Sequence, residues 1–94
     1  MKKSELIMKI ARKNPNLTVK DVDNIVSVIF SEIINALSQG NRVEFRGFGS
    51  FCVRKREARI AKNPKTGKLV EISDRRVVHF KTGKELHAML NPEE

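Results

Sequence analysis

Arg54-Lys55-Arg56-Glu57-Ala58-Arg59-Ile60-Ala61-Lys62-Asn63-Pro64-Lys65-Thr66-Gly67-Lys68 is the stretch whose reading decides the fold. It is crowded with cations, holds almost no apolar anchor, and carries a proline and a Thr-Gly pair near its middle. Such a segment cannot bury itself, so it lies on a surface or on another molecule. Its alternation is loose. Asn63-Pro64-Lys65-Thr66-Gly67 supplies turn chemistry at the tip. The chain then returns through Lys68-Leu69-Val70-Glu71-Ile72, which reads as a strand. The expectation is a protruding β-ribbon arm over about residues 55–74.

Working outward on the N-terminal side, Arg42-Val43-Glu44-Phe45-Arg46 alternates, with Val43 and Phe45 on one face. The row Arg42, Glu44, Arg46 is then either a solvated charge row or a DNA-facing one in which Glu44 holds an arginine in place. Gly47-Phe48-Gly49-Ser50-Phe51 turns the chain into a second strand. Phe48 and Phe51 are three apart, so burying both requires a bulge or bend near Gly49. On the other side of the arm, Val77, Val78 and Phe80 complete a three-stranded antiparallel sheet within residues 41–81. Thr82-Gly83-Lys84-Glu85 matches a capping box, which predicts a short last helix in residues 82–94 with Leu86, Met89 and Leu90 inward.

Residues 1–40 read as helical. Ser4 is a candidate N-cap with Glu5 behind it, and Leu6, Ile7, Ile10 and Ala11 recur at helical spacing until Asn14-Pro15. Thr18 opens a second helix, with Asp21 placed for a capping box. Val22, Ile25, Val26, Ile29, Phe30, Ile33 and Leu37 follow the i, i+3, i+4 rule, and Val28, Ile34 and Ala36 widen the apolar surface beyond one stripe. A helix that is apolar on more than one side needs two things to pack against. In a chain of 94 residues the second is a second subunit. Gln39-Gly40 ends the helix. The fold class is therefore α+β, in a single domain spanning residues 1–94.

The net charge of +8 favours an anionic partner. From Arg54 to Arg76 there are nine Lys/Arg against three acids, whereas residues 1–40 hold six against four. The excess is thus concentrated on one element, as a binding surface requires. A lone Cys52 permits no intrachain disulfide and suits a reducing, cytoplasmic compartment. Lys9 and Arg12 interrupt the N-terminal apolar residues, so no signal peptide is expected, and no run approaches a membrane span. With no Trp or Tyr, and no Phe in the arm, base stacking on an aromatic platform has no residues to use. His79 and His87 have no ligand partner at metal spacing, and no nucleophile-base grouping stands out. Neither enzyme, metal, cofactor nor small-molecule substrate is expected.

A basic two-stranded ribbon can enter a groove of duplex DNA, where its cations release counterions from phosphates. Pro64 is either a plain turn residue or an apolar wedge that unstacks a base step and kinks the duplex.

Gly47-Phe48-Gly49-Ser50-Phe51, followed by Ala58-Arg59 and by Asn63-Pro64-Lys65-Thr66-Gly67-Lys68, resembles the bacterial histone-like HU and integration host factor family over nearly the whole chain. That family is itself a standard example of minor-groove wedging by strands. The resemblance implies an intertwined dimer, of one chain or of two related ones, whose arms reach around double-stranded DNA in the nucleoid and insert Pro64. It implies that Arg54, Arg56, Arg59, Lys62, Asn63, Lys65, Lys68, Arg75 and Arg76 serve the arm. It places body contacts at Lys3, Ser4, Arg42, Glu44, Arg46, Lys81, Thr82, Gly83 and Lys84. Ile29, Phe30, Ile33, Phe48, Phe51 and Phe80 fall to the dimer core. The row Arg42-x-Glu44-x-Arg46 looks more like the beta subunit of integration host factor, which implies that Glu44 positions Arg46 against the minor groove, and Arg75-Arg76-Val77-Val78 looks like the alpha subunit. The family pattern Arg-Thr-Gly-Arg-Asn-Pro is replaced here by Arg59-Ile60-Ala61-Lys62-Asn63-Pro64. The function implied is architectural: bending duplex DNA in recombination, replication and regulation. The alternatives are HU-like compaction without site preference, and a basic RNA-associated module.

Overall fold

The computed structural model describes residues 1–93. Helix α1 spans Lys3–Lys13 and α2 spans Val19–Ser38. The capping box between them forms as the sequence predicts. The Thr18 N–H donates to an Asp21 carboxylate oxygen at 3.0 Å, and the Asp21 N–H donates to Thr18 Oγ1 at 3.0 Å. These bonds, the backbone one first, hold the Asp21 carboxyl below its ordinary value. Ile7 of α1 and Val22 and Val26 of α2 are buried together, with Ile10 and Ala11 packed against them. Helix α1 departs from expectation at its start: the N-cap is Lys2, with no side-chain cap, and Ser4 lies inside the first turn. At the far end of α2, Gly40 takes a positive φ of 82°, and Asn41 N–H closes onto the Ala36 carbonyl at 2.9 Å. A left-handed residue there favours glycine.

The strands are β1 (Val43–Phe45), β2 (Gly49–Arg56), β3 (Arg59–Lys62), β4 (Leu69–Ile72) and β5 (Arg75–Thr82), followed by α3 (Lys84–Leu90). One antiparallel sheet has the order β1-β2-β5, and β3-β4 forms a separate two-stranded ribbon. This is the predicted three-stranded sheet with an arm. The chain divides into two compact units, Met1–Asn35 and a second beginning at Ala36.

Three local features differ from the sequence reading. First, where a bulge or bend near Gly49 is expected if both phenylalanines are buried, the chain takes a turn just before it, and Phe48 stays exposed. Phe48 lies in the three-residue turn between β1 and β2, closed by Phe48 N–H to the Phe45 carbonyl at 3.0 Å, and Arg46 sits in that turn rather than on a strand. Phe48, Phe51 and Phe80 then gather with ring centroids 4.7–6.4 Å apart. Gly49 is where the backbone passes closest to them: a Cβ there would lie 2.5 Å from the Phe80 ring and from the Lys81 carbonyl. Second, the capping box at Thr82 does not form. The N-cap of α3 is Gly83, without a side-chain cap. Turn carbonyls take that role instead: Gly83 N–H donates to Phe48 O at 2.8 Å and Leu86 N–H to Gly47 O at 3.1 Å. Met89 and Leu90, read as inward, are exposed. Third, the arm expected over about residues 55–74 is not one continuous ladder: β1 pairs with β2 only as far as Phe51, so β2-β5 runs on as a two-stranded ribbon from Cys52↔His79. The β2-β5 ladder runs out to Arg56↔Arg75, and the β3-β4 ladder begins at Arg59↔Ile72. Residues 57–58 and 73–74 are unpaired between them, so the arm has a joint there.

Candidate nucleic-acid interface

The register sorts the cations onto faces. Directly paired residues share a face, as do residues two apart. Phe51, Val53, Phe80 and Val78 therefore share one face of the sheet. Ser50, Arg54, Arg56, Arg75, His79 and Lys81 share the other. Arg54, Arg56, Arg75 and Lys81 thus form a cationic row on the polar face. Arg54, Arg56, Arg75 and Arg76, expected on the arm, lie where the β2-β5 ladder continues two-stranded beyond the end of β1, at the base of the ribbon.

Arg76 differs from its neighbour. It falls on the apolar face with Val78 and Phe80, and its guanidinium donates to the carbonyls of Leu37 and Ser38 at 3.3 and 3.0 Å. These are terminal carbonyls of α2, where intrahelical donors run out and the helix dipole is negative. Its first role is thus structural, which a count of charges could not reveal. The alternation from Phe80 back through Val78 is the signal that could have separated it from Arg75.

The turn, the end of β5 and the start of α3 enclose a concavity of about 290 Å³. It gathers Arg42, Glu44, Arg46, Lys81, Thr82, Gly83 and Lys84, all seven expected as body contacts in this unit. Close backbone approach makes it: a Cβ on Gly83 would lie 3.0 Å from the Gly47 carbonyl group. Glu44 pairs with Arg42 at 3.2 Å, both side chains being exposed. Glu44 thus pairs with Arg42, where the resemblance implies Arg46; Arg46 lies in the turn after β1. A second cleft, of about 770 Å³, opens at the joint of the arm among Arg56, Arg59 and Arg75. The nearby Lys55–Asp74 pair at 3.5 Å is exposed and contributes little.

Beyond the joint, the β3-β4 ribbon carries Arg59 and Lys62 and ends in the predicted turn. Asn63 Oδ1 accepts from Lys65 N–H at 2.9 Å, and Lys68 N–H donates to Thr66 Oγ1 at 3.3 Å. Asn63 and Lys68 close the loop through their backbones at 2.8 Å, and Gly67 takes a φ of 70°. Pro64 is exposed at this tip between Lys62 and Lys65. Asn63 is engaged in holding the turn.

The N-terminal candidates sit in the other unit. Lys3 donates to Ser27 Oγ at 2.8 Å and lies 3.9 Å from Asp23, so its ammonium first ties α1 to α2. Of the expected dimer core, Ile29, Phe30 and Phe48 are exposed, and Ile33, Phe51 and Phe80 are partly buried. Among the described residues no three His, Cys, Asp or Glu side chains gather to hold a metal ion. Among the described residues no helix is long and apolar enough to cross a membrane.

Solved structures with the same fold include HU of Anabaena in a cocrystal with DNA, 38% identical, TM-score 0.86, covering 98% of this chain and 99% of that one. HU of Thermotoga maritima is 32% identical, with a TM-score of 0.64 over 96% of this chain and 98% of that one. A mutant of transcription factor 1, solved in solution, is 29% identical, with a TM-score of 0.62 over 98% and 92%. A family profile described as bacterial DNA-binding protein matches residues 1–91, the whole span from α1 through α3. With the basic ribbon, its turn and the supporting sheet all inside that match, the chain belongs to the bacterial DNA-binding protein family, the HU family.

Proposed function

We propose that this protein is a non-enzymatic architectural DNA-binding protein of the bacterial nucleoid. It acts as a dimer, of one chain or of two related ones, that enters the minor groove with both arms and bends the duplex. The observation that carries this reading is Pro64. It is exposed at the tip of a basic two-stranded ribbon, in a turn held by Asn63, Thr66 and Gly67. A rigid apolar ring so presented can unstack a base step at a cost of about a few kcal/mol, offset by the extra protein surface that bent DNA touches. Arg59, Lys62, Lys65 and Lys68 along the ribbon would neutralise phosphates. Arg54, Arg56, Arg75, Lys81 and the concavity around Arg42, Arg46 and Lys84 would carry the flanking duplex. Lys3 and Ser4 would add contacts from α1. Dimerisation is supported by the apolar residues that α2 leaves exposed, among them Ile25, Ile29, Phe30 and Ile34. Recombination, replication, transcription and translation are the processes such bending would serve.

Pro64→Ala should reduce the bend angle more than the affinity, measured by energy transfer between fluorophores at the two ends of a duplex of roughly 35 base pairs, a length of the order such arms would span. Equal bending by variant and parent would remove the wedge. Lys62→Ala with Lys65→Ala should flatten the plot of log affinity against log salt by about one unit for each phosphate that is no longer neutralised.

A site-selective role, like that of integration host factor, is favoured over general compaction by one contact. The exposed Arg42–Glu44 pair sets an arginine beside the concavity, where contact with the duplex would let it respond to groove shape. Competition between an A-tract-flanked duplex and random duplex decides between them: equal affinity would leave compaction alone.

A further inference from the structure

The ribbon carries a feature that phosphate binding does not use. Ile60 and Leu69 are 70% and 74% exposed, among the most exposed large apolar side chains of the chain. They stand on opposite strands of the arm. The register pairs Ile60 with Glu71 and Lys62 with Leu69, which puts all four on one face. Ile60 and Leu69 are diagonal neighbours there, about 7–8 Å apart along such a ladder and within reach of branched side chains. They make one oblique apolar strip across the ribbon. Lys62 shares that face beside Leu69 and Glu71 beside Ile60, Arg59 stands at the edge on the opposite face, and Lys65 and Lys68 follow toward the tip. A four-residue exposed strand has no internal need for such residues, because Thr would serve the same backbone preference.

We propose that Ile60 and Leu69 form an apolar rail that packs on the deoxyribose walls of the minor groove, and so supply a part of the affinity that salt does not screen. This rests on the minor-groove reading above. The complementarity is one of pattern. A minor groove presents C–H-rich sugar walls between two rows of phosphates, and this ribbon presents aliphatic carbon with Lys62 beside it and Lys65 and Lys68 beyond it toward the tip, Glu71 being the one acid on that face. The rail also accounts for the replacement of a polar Thr-Gly by Ile60-Ala61 in front of the tip. Contact along the walls would seat the arm before Pro64 reaches its base step.

The test compares the parent, Ile60→Thr/Leu69→Thr and Lys62→Ala on one 35-base-pair duplex, by titration at several salt concentrations and by calorimetry at several temperatures. Thr keeps the β-branched character of Ile60 and favours a strand at least as well as Leu69 does, and circular dichroism with sedimentation checks that the fold and assembly are unchanged. The double variant should bind roughly ten-fold more weakly at every salt concentration, with a slope parallel to the parent's. Its heat-capacity change on binding should be less negative, the mark of reduced apolar burial. Lys62→Ala should instead flatten the slope. Ile60→Val with Leu69→Val should retain most of the affinity. Unchanged affinity in the double variant would overturn the rail. If that variant then lost self-association, or binding to anionic lipid vesicles, the strip would belong to a second copy or a lipid surface. A weaker complex with a flattened slope would overturn it too, since the weakening would then lie in phosphate binding. A parent that neither binds nor bends the duplex would overturn the broader reading, and the rail with it.

Discussion

Arg75 and Arg76 are adjacent and chemically identical, yet the period-two alternation of β5 sends them to different partners. Arg75 faces the polar row with Arg54 and Arg56. Arg76 binds the last carbonyls of α2. Replacing each by Ala should therefore give opposite phenotypes. Arg76→Ala should cost about 1 kcal/mol of stability, the usual worth of a cation at a helix C-terminus, with little change in the salt dependence of DNA binding. Arg75→Ala should leave the urea midpoint unchanged and flatten the salt slope by about one unit. Paired urea denaturation and titration check both; equal effects on stability would show that the α2 contact is idle. Gly49 offers a second single-residue test. A Cβ there meets the Phe80 ring and the Lys81 carbonyl, one an aromatic packed in a three-ring cluster and the other backbone, so neither can step aside cheaply. Gly49→Ala should destabilise by about 2 kcal/mol, read from the same denaturation curves.

At the scale of elements, what the sequence disclosed and what it hid divide by the range of the forces involved. The α2 start was legible because Thr18 and Asp21 satisfy each other locally, three residues apart. The arm tip was legible for the same reason: Asn63, Thr66 and Gly67 close it without outside help. The start of α3 was not legible because its free N–H groups find carbonyls at Gly47 and Phe48, far away in the chain, which makes Thr82 redundant. The joint at residues 57–58 and 73–74 was hidden because Lys/Arg-rich strands look alike on both sides of it. Within the concavity, Gly47 and Gly83 matter through close approach that no local pattern announces. The local box at α2 also gives a pH signature. The Asp21 carboxyl is held below its ordinary value of 3.8 by hydrogen bonds to its ionised form. Its contribution is fully present above 3.8 and is lost as pH falls through the lowered folded value. The stability gap between the parent and Asp21→Ala should accordingly close on acidification below about pH 4. A gap that stayed constant in urea titrations from about pH 6 to about pH 2.5, which bracket the ordinary carboxylate range, would show that the charge is irrelevant to the cap.

For the whole molecule the decisive quantity is how little one chain buries. The core cluster of buried residues consists of Ile7, Val22 and Val26. Meanwhile Ile25, Val28, Ile29, Phe30, Ile34, Phe45, Phe48 and Val78 remain exposed. Helix α2 shows the imbalance most clearly: Val22 and Val26 are covered by α1, and the flanking stripe from Ile25 to Ile34 is covered by nothing within the described residues. Among the described residues, three buried apolar side chains with Ile10 and Ala11 partly buried against them are little to set against a conformational entropy cost on the order of 1–2 kcal/mol per ordered residue. Folding and association must therefore be one event, with the second subunit supplying the missing core. Stability would then depend on protein concentration, because unfolding releases two chains from one assembly. Each ten-fold dilution should remove about 1.4 kcal/mol. With a urea dependence of roughly 2 kcal/mol per molar for a domain of this size, the midpoint should fall by roughly 0.5–1 M per decade. Phe30→Asp, placing a charge in the uncovered stripe, should abolish the cooperative transition altogether rather than yield a folded monomer. Denaturation at about 1, 10 and 100 μM, spanning a range in which a moderately tight dimer would respond, distinguishes the cases. A midpoint that did not move would mean that a single chain is self-sufficient, and that the exposed face of α2 has some other purpose.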